Sequence, residues 1–215
     1  MAQPISNILF DLGVVLLNIN YTAGLKKIVP LCDPQRSVGS RQFFGLVARD
    51  PIVAEYERGA ISAQEFFNRF VALAGFHGTF HQFRDIWVDI FSENQPMIAF
   101  ARELAQRYDI YLCSNAGDLH FPWIYERFPM LNFFKGDAVS CHLGAVKPNR
   151  AYYERALARL GLQPETCLFI DDRPENVESA LEFGIPSIQY TTAPETIAAV
   201  CAQLGWPAGA AALRS

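Results

Sequence analysis

The chain has 215 residues, 51% of them hydrophobic and 19% charged, with 18 Lys and Arg against 22 Asp and Glu. That length fits one core carrying an insertion and burying roughly 70% of its unfolded surface, so neither disulfides nor a metal is needed merely to fold. The net charge of −4 comes with scattered cations, which argues against a nucleic-acid backbone or an anionic membrane as partner.

The first apolar run, Ile8-Leu9-Phe10, ends at Asp11. Residues 1–7 before it lack the basic and apolar regions of a secretory signal. Residues 21–91 then read as helices throughout. Asp50-Pro51 looks like a cap followed by proline at the first helical position. Ser62-Ala63-Gln64-Glu65 is a capping box leading into Phe66, Phe67, Phe70, Val71 and Ala74, with Gly75 as the stop. His77 and His81 have the i,i+4 spacing of a metal pair, but Gly78 and Thr79 between them mark a helix start instead. Phe80, Phe83, Trp87 and Ile90 form the next amphipathic face.

The remainder alternates. A helix is predicted over 96–107, and the run Ile110-Tyr111-Leu112-Cys113 ends at Ser114-Asn115. A helix over 149–160 is stopped by Gly161, and Cys167-Leu168-Phe169-Ile170 ends at Asp171-Asp172. Pro174 opens a helix over 174–183 that Gly184 stops. Ile188-Gln189-Tyr190 reads as a last strand, and Thr192 with Glu195 caps a final helix ending near Gly205. The tail, residues 207–215, reads as loosely held. No apolar run approaches the roughly 18 to 20 residues that span a bilayer. The five dispersed cysteines, Cys32, Cys113, Cys141, Cys167 and Cys201, contain no CxxC pair and read as reduced thiols in a cytoplasmic protein.

Short continuous apolar runs suit strands buried on both faces, and strands alternating with helices imply a parallel α/β sheet. The expected fold is α/β: a Rossmann-like three-layer sandwich with a central parallel sheet and an inserted α-helical unit. The expected division is a core of residues 1–19 and 92–215 and a helical insertion of residues 20–91. In open sheets of this kind the crevice lies beyond the carboxyl ends of the strands. Asp11, Ser114, Asn115, Asp171 and Asp172 would converge there.

The sequence resembles the haloacid dehalogenase superfamily of hydrolases, and most of all its capped phosphatase branch, including sugar-phosphate phosphatases and the phosphatase domain of soluble epoxide hydrolases. The resemblance runs over about residues 5–190. Its residues are Phe10-Asp11-Leu12-Gly13-Val14-Val15, then Cys113-Ser114-Asn115, then Lys147-Pro148, then Ile170-Asp171-Asp172. It implies a Mg²⁺-dependent hydrolysis of a small-molecule phosphate monoester, with a sugar phosphate favoured, by a monomer or small homo-oligomer.

A carboxylate can attack phosphorus and split one hard hydrolysis into two easier displacements; Asp11, ending a buried strand, is the candidate nucleophile. Asp11, Asp171 and Asp172 repel one another, and Lys147 together with Mg²⁺ would balance them. By resemblance the metal ligands are Asp11, the carbonyl of Gly13, Asp172, and Asp171 either directly or through water. Ser114, Asn115 and Lys147 would bind the phosphate, with Ser114 and Lys147 assisting catalysis.

One position departs from the pattern. Most phosphatases of the superfamily carry a second aspartate two residues after the nucleophile as general acid and base, and here that position is Gly13. Two compensations are open: a water or a side chain of the helical insertion donates the proton, or the leaving group is acidic, as in a sugar 1-phosphate. The second predicts faster turnover of anomeric than of primary-alcohol phosphates. Two alternatives to a phosphatase stand beside it: a haloacid dehalogenase, or a non-catalytic descendant that binds a phosphometabolite or a partner. Specificity would lie in the helical insertion, where Glu57 and Arg58, before the turn at Gly59, are candidates. Its aromatics, Phe43, Phe44, Tyr56, Phe66, Phe67, Phe70, Phe80, Phe83 and Trp87, read as packing.

Overall fold

A computed structural model describes residues 4–36 and 51–206. Asp50, Phe43, Phe44 and the tail after Trp206 lie outside the described residues.

Five parallel strands form the sheet: β1 (Asn7–Phe10), β4 (Asp109–Ser114), β5 (Gly136–Val139), β6 (Cys167–Asp171) and β7 (Ser187–Gln189), in the order β5-β4-β1-β6-β7. β1 is central, Ile8 pairing with Ile110 and with Leu168, and all four of its residues are buried because both faces of the sheet are covered. Side chains of a strand alternate between faces, and the cores follow that alternation. Ile8, Phe10, Leu168 and Ile170 enter one cluster with Met97, Ala101, Ile124 and Val200. Leu9, Cys167 and Phe169 enter the other with Tyr153, Ala156 and Ala180. Helices Gln95–Leu104, His120–Arg127 and Ala193–Leu204 thus cover one face, and Arg150–Leu160 and Pro174–Phe183 the other.

Local chemistry sets the ends of these helices. Asn149 and Thr192 accept from the backbone at the starts of the helices they open, and Gly161, Gly184 and Gly205 take left-handed conformations at the stops. The helix expected over 96–107 ends at Leu104, since Gln106, Arg107 and Tyr108 turn back onto Glu103 and Leu104 carbonyls. All five cysteines are free thiols. Among the described residues, no helix is long and apolar enough to cross a membrane.

Between β1 and β4 the chain makes a helical excursion: Tyr21–Ile28, Ile52–Glu57, Ala63–Ala74 and Phe80–Val88. Ser62 caps the third of these and Gly75 (φ 62°) ends it, while Thr79 and Gln82 form a reciprocal capping box at the fourth. His77 and His81 therefore straddle a helix start. Pro51 is itself the N-terminal cap residue of the second helix, which therefore starts at Ile52, one residue later than expected. This excursion has its own core of Ile28, Ile52, Tyr56, Phe66, Phe70, Phe76 and Phe83, with Tyr56 and Phe66 stacked at 4.3 Å. Each such buried aromatic contributes about 1.5–3 kcal/mol of burial.

The expectation of helix throughout residues 21–91 is corrected at its end, where Phe91 starts a strand. β2 (Leu17–Ile19) and β3 (Phe91–Glu93) pair antiparallel, Leu17 with Glu93 and Ile19 with Phe91. The chain therefore enters and leaves the helical excursion through one two-stranded ribbon.

Candidate active site

From β1 the chain runs one way to β4 and β5, then crosses to β6 and β7, so the topological switch lies between β1 and β6. Asp11 stands one residue beyond β1 and Asp171 is the last residue of β6. The ladder carries Asp11 into position, its N–H donating to Ile170 O at 2.8 Å.

Lys147 closes the cluster from the third side. Its side chain is 1% exposed, and its ammonium donates to Asp11 Oδ1 (2.8 Å), Asp171 Oδ2 (2.6 Å) and the carbonyl of Cys113 (2.8 Å). An ammonium has three hydrogens, so all are engaged with protein. Asn115 holds the lysine's backbone at both ends, accepting from Lys147 N (2.9 Å) and donating to Lys147 O (3.0 Å). The geometry thus makes the Asn115 side chain a brace for Lys147. Ser114 is buried at the end of β4.

Asp171 is fully buried and fully engaged: Oδ1 accepts from Arg173 N and Asn176 Nδ2, both at 2.9 Å, while Oδ2 accepts from Lys147. Asp172 is half-buried beside it. Among the described residues, the one cluster of three or more potential metal-ligating side chains is Asp11, Asp171 and Asp172, with ligand atoms within 4.8 Å of one another. His77 and His81 are not part of such a cluster.

One ammonium among three carboxylates leaves the charge under-compensated. Burial, with the charges of Asp171 and Asp172 adding and Lys147 opposing, pushes Asp11 up to about 7 from the ordinary 3.8. Burial and Asp171 raise Asp172 as well. For Lys147, burial alone would favour the neutral amine, but Asp11 and Asp171 outweigh it and hold the ammonium charged. The oxygen-only, hard donor set and the unmet negative charge both fit a small divalent cation.

This shift has a signed consequence for stability. Below about pH 4 Asp11 is protonated in folded and unfolded chains alike and costs nothing by ionising. As pH rises from there to about 7 the unfolded chain ionises freely while the folded one resists, so this contribution to stability is lost. In chelated protein, the melting temperature of the wild type relative to Asp11→Asn is expected to fall between pH 4.5 and 7.5. Saturating Mg²⁺ should reverse the fall at the upper end, by about 2.7 kcal/mol at a hundredfold excess over Kd.

The loop after Asp11 is shaped by its own backbone. Leu16 and Leu17 N–H groups both donate to Leu12 O, and Val14 N donates to Leu17 O. Val14 sits at φ 64°, a conformation costly for a β-branched residue. Asn94, returning from the excursion, donates to Val15 O (2.8 Å) and pins this loop. At Gly13 a Cβ would stand 2.9 Å from Ile19 Cδ1, so the tip of the Ile19 side chain would have to shift to admit a second aspartate.

The helical excursion reaches the site through the end of its second helix. Leu119 N donates to Tyr56 Oη at 2.7 Å, and a Cβ at Gly117 would fall 2.1 Å from the Tyr56 ring. Tyr56→Phe is expected to cost about 1–2 kcal/mol by orphaning the Leu119 N–H, checked by thermal melting against wild type. Glu57 follows Tyr56, half-buried, and its carboxyl feels Arg173, Asp11 and Lys147. Tyr21, from the first helix of the excursion, faces Glu57, Asp172 and Arg173. Arg173 itself is exposed and paired with Glu175.

Residues 8–184 match the haloacid dehalogenase-like hydrolase family. The chain belongs to that family. Among curated hydrolases it is 25% identical over 194 residues, 86% of this chain and 91% of the relative, to D-ribitol-5-phosphate phosphatase of Bacteroides thetaiotaomicron. It is 26% identical over 159 residues, 70% of this chain and 64% of the relative, to the chloroplast flavin mononucleotide hydrolase 1 of Arabidopsis thaliana. Among solved structures, a haloacid dehalogenase family enzyme of Bacteroides thetaiotaomicron, in complex with magnesium and inorganic phosphate, superposes with a TM-score of 0.76. It is 24% identical, with 87% of this chain and 94% of that one covered. This likeness is one of fold.

Sequence reasoning missed several supports of the hydrolase site. Asn94 and Ser140 carry no pattern that announces a bond to a residue far along the chain, whereas Asn176 bonds Asp171 only five residues away. Asn176 alone had a signal: it lies in the first turn of a helix opened by Pro174, just after the aspartate pair.

Proposed function

We propose that this hydrolase is a Mg²⁺-dependent phosphatase of small phosphorylated metabolites, with Asp11 as the attacking carboxylate. The observation that carries the reading is the buried Lys147 ammonium shared between Asp11 and Asp171 at the switch point, beside Asp172. We assign residues 1–19 and 92–215 to the catalytic core and residues 20–91 to a cap over it.

The ligands proposed for the ion are Asp11, Asp172 and the carbonyl of Gly13. That carbonyl accepts from Val15 N at 2.7 Å and keeps a second lone pair. Asp171, whose oxygens already accept three hydrogen bonds, is assigned contact with the ion through water. When bound, Mg²⁺ neutralises the carboxylates and polarises a phosphoryl oxygen. Lys147 keeps Asp11 oriented and its charge partly neutralised, while Ser114 and backbone N–H groups at the end of β4 receive the phosphoryl oxygens. Lys147 would contact phosphate by exchanging one of its three present acceptors. A sugar or polyol phosphate is the favoured substrate, in keeping with the ribitol-5-phosphate phosphatase among the relatives.

The test is phosphate release from polyol 5-phosphates, sugar 1- and 6-phosphates and flavin mononucleotide, with Mg²⁺ and with chelator, alongside halide release from 2-chloropropionate. Mg²⁺-dependent phosphate release supports the reading. Metal-independent halide release would replace it with a dehalogenase, and silence on every substrate with a binding protein.

A further inference from the structure

We propose that Glu57, presented by the helical excursion, is the general acid and general base of the hydrolysis, in place of the side chain that Gly13 lacks; the inference rests on the phosphatase reading above.

The geometry starts from a fixed platform. The turn that carries Glu57 is fastened to the core on both sides. Ser140 Oγ donates to Glu57 O (2.5 Å) and accepts from Ala116 N (2.9 Å), and Leu119 N donates to Tyr56 Oη. Gly59, at φ 72°, lets the turn lie so close that a Cβ there would be 2.2 Å from Cys141 O. Glu57 is therefore held over the carboxyl ends of β4 and β5, not carried on a loose lid.

Its carboxyl forms no hydrogen bond or ion pair among the described residues. The charged and titratable groups facing it are Asp11 after β1, Lys147, Arg173 after β6 and Tyr21 from the first helix. Burial, with Asp11 adding and Arg173 and Lys147 opposing, pushes Glu57 up to about 7, where a carboxyl can both give and take a proton at neutral pH. The rivals are less suited. Asp171 is spent on three hydrogen bonds, Arg173 is a permanent cation, and burial raises the Tyr21 phenol above its ordinary value, so it could donate but not act as base.

In the first step an Asp11 oxygen bonds to phosphorus and the P–O bond to the leaving group breaks. The bonding pair stays on the leaving oxygen, which takes the Glu57 proton and departs as the alcohol. In the second, Glu57 carboxylate removes one proton from water as the water oxygen bonds to phosphorus. The Asp11–phosphorus bond breaks, its pair returns to the carboxylate, and hydrogen phosphate leaves with Glu57 again protonated.

The experiment is pre-steady-state kinetics of Glu57→Gln on p-nitrophenyl phosphate, whose phenolate leaves unprotonated, and on the best primary-alcohol phosphate of the panel. With the aryl substrate the variant should release a burst of nitrophenolate near one per active site, then turn over about 10²-fold or more below wild type. Phosphorylated enzyme should be recovered after acid quench. With the alkyl substrate no burst appears and turnover falls by at least as much. The metal-free variant should melt no lower than wild type, which separates chemistry from folding. Wild-type turnover on both substrates, equal loss of the burst and steady-state phases, or the burst appearing in Tyr21→Phe instead would overturn the proposal. If wild type releases no phosphate from either, the phosphatase reading itself fails and takes this inference with it.

Discussion

Asp11→Asn is expected to abolish phosphate release, by about 10⁴-fold or more, without destabilising the protein. Both halves follow from the same geometry. The amide keeps the shape of the side chain and can still accept from Lys147, but it is a poor nucleophile, and removing the group that forms the covalent intermediate removes the whole two-step route. The charge it removes is one the fold holds at a cost, since burial and two neighbouring carboxylates raise Asp11 to about 7. Metal-free Asp11→Asn should therefore melt at or above the wild-type temperature at pH 7.5. Phosphate-release assays and melts on one preparation check both, and trapping of labelled phosphate on wild type but not on the variant identifies the acceptor. Turnover persisting in the variant would take the nucleophile's role away from Asp11. A binding protein would show no activity in either form.

How far the fold could be read ahead of the structure depended on how local the causes were. The three runs ending at Asp11, Ser114 and Asp171 became β1, β4 and β6 because a strand buried on both faces needs unbroken apolar sequence, and these have it. The helix over 174–183 appeared with both ends as read, since Pro174 and Gly184 act within one turn. β5, Gly-Asp-Ala-Val, was not legible: it is an edge strand with two residues half-exposed, and its identity comes from pairing with β4. β2 and β3 were missed for a related reason, being three residues each and extended only because they pair with one another across the whole excursion. At the site, Asp11, Asp171 and Asp172 meet because neighbouring parallel strands end there, whereas the place of Lys147 beside them was implied only by the family resemblance. Asn115 was legible as a polar strand end but not as the brace of Lys147, because the contact spans 32 residues. Glu57 could be noticed only as a charge before a glycine turn. Its relation to Asp11 comes from how Tyr56 and Ser140 seat that turn on the core.

Lys147→Met should be the most destabilising single substitution in the site, by about 3–5 kcal/mol at neutral pH, because breaking a buried ion pair leaves its partners uncompensated. Here there are two partners. Asp11 loses its one strong donor, and Asp171, with no exposed surface, keeps only Arg173 N and Asn176 Nδ2. A methionine restores packing against the Phe169 ring, which the ammonium now overlies at 5.3 Å, but not charge. The loss should shrink as pH falls, since Asp11, already raised to about 7, can then be protonated in the folded state, and should shrink with Mg²⁺, which supplies the missing positive charge. Denaturant melts of wild type and variant at pH 5 and 7.5, with Mg²⁺ and with chelator, check all three signs. Lys147→Arg should not rescue: the planar guanidinium cannot reproduce three donors converging from one buried nitrogen. The decisive comparison is the double variant Lys147→Met/Asp171→Asn. If the lysine's worth lies in neutralising Asp171, removing that charge should return part of the stability, and the two effects will be non-additive by more than about 1 kcal/mol. Activity should stay lost in every one of these variants, because Asp11 would no longer be held and partly neutralised as a nucleophile needs. Additive stability effects would instead mean that Lys147 and Asp171 are independent, and that the shared ammonium is not what organises this site.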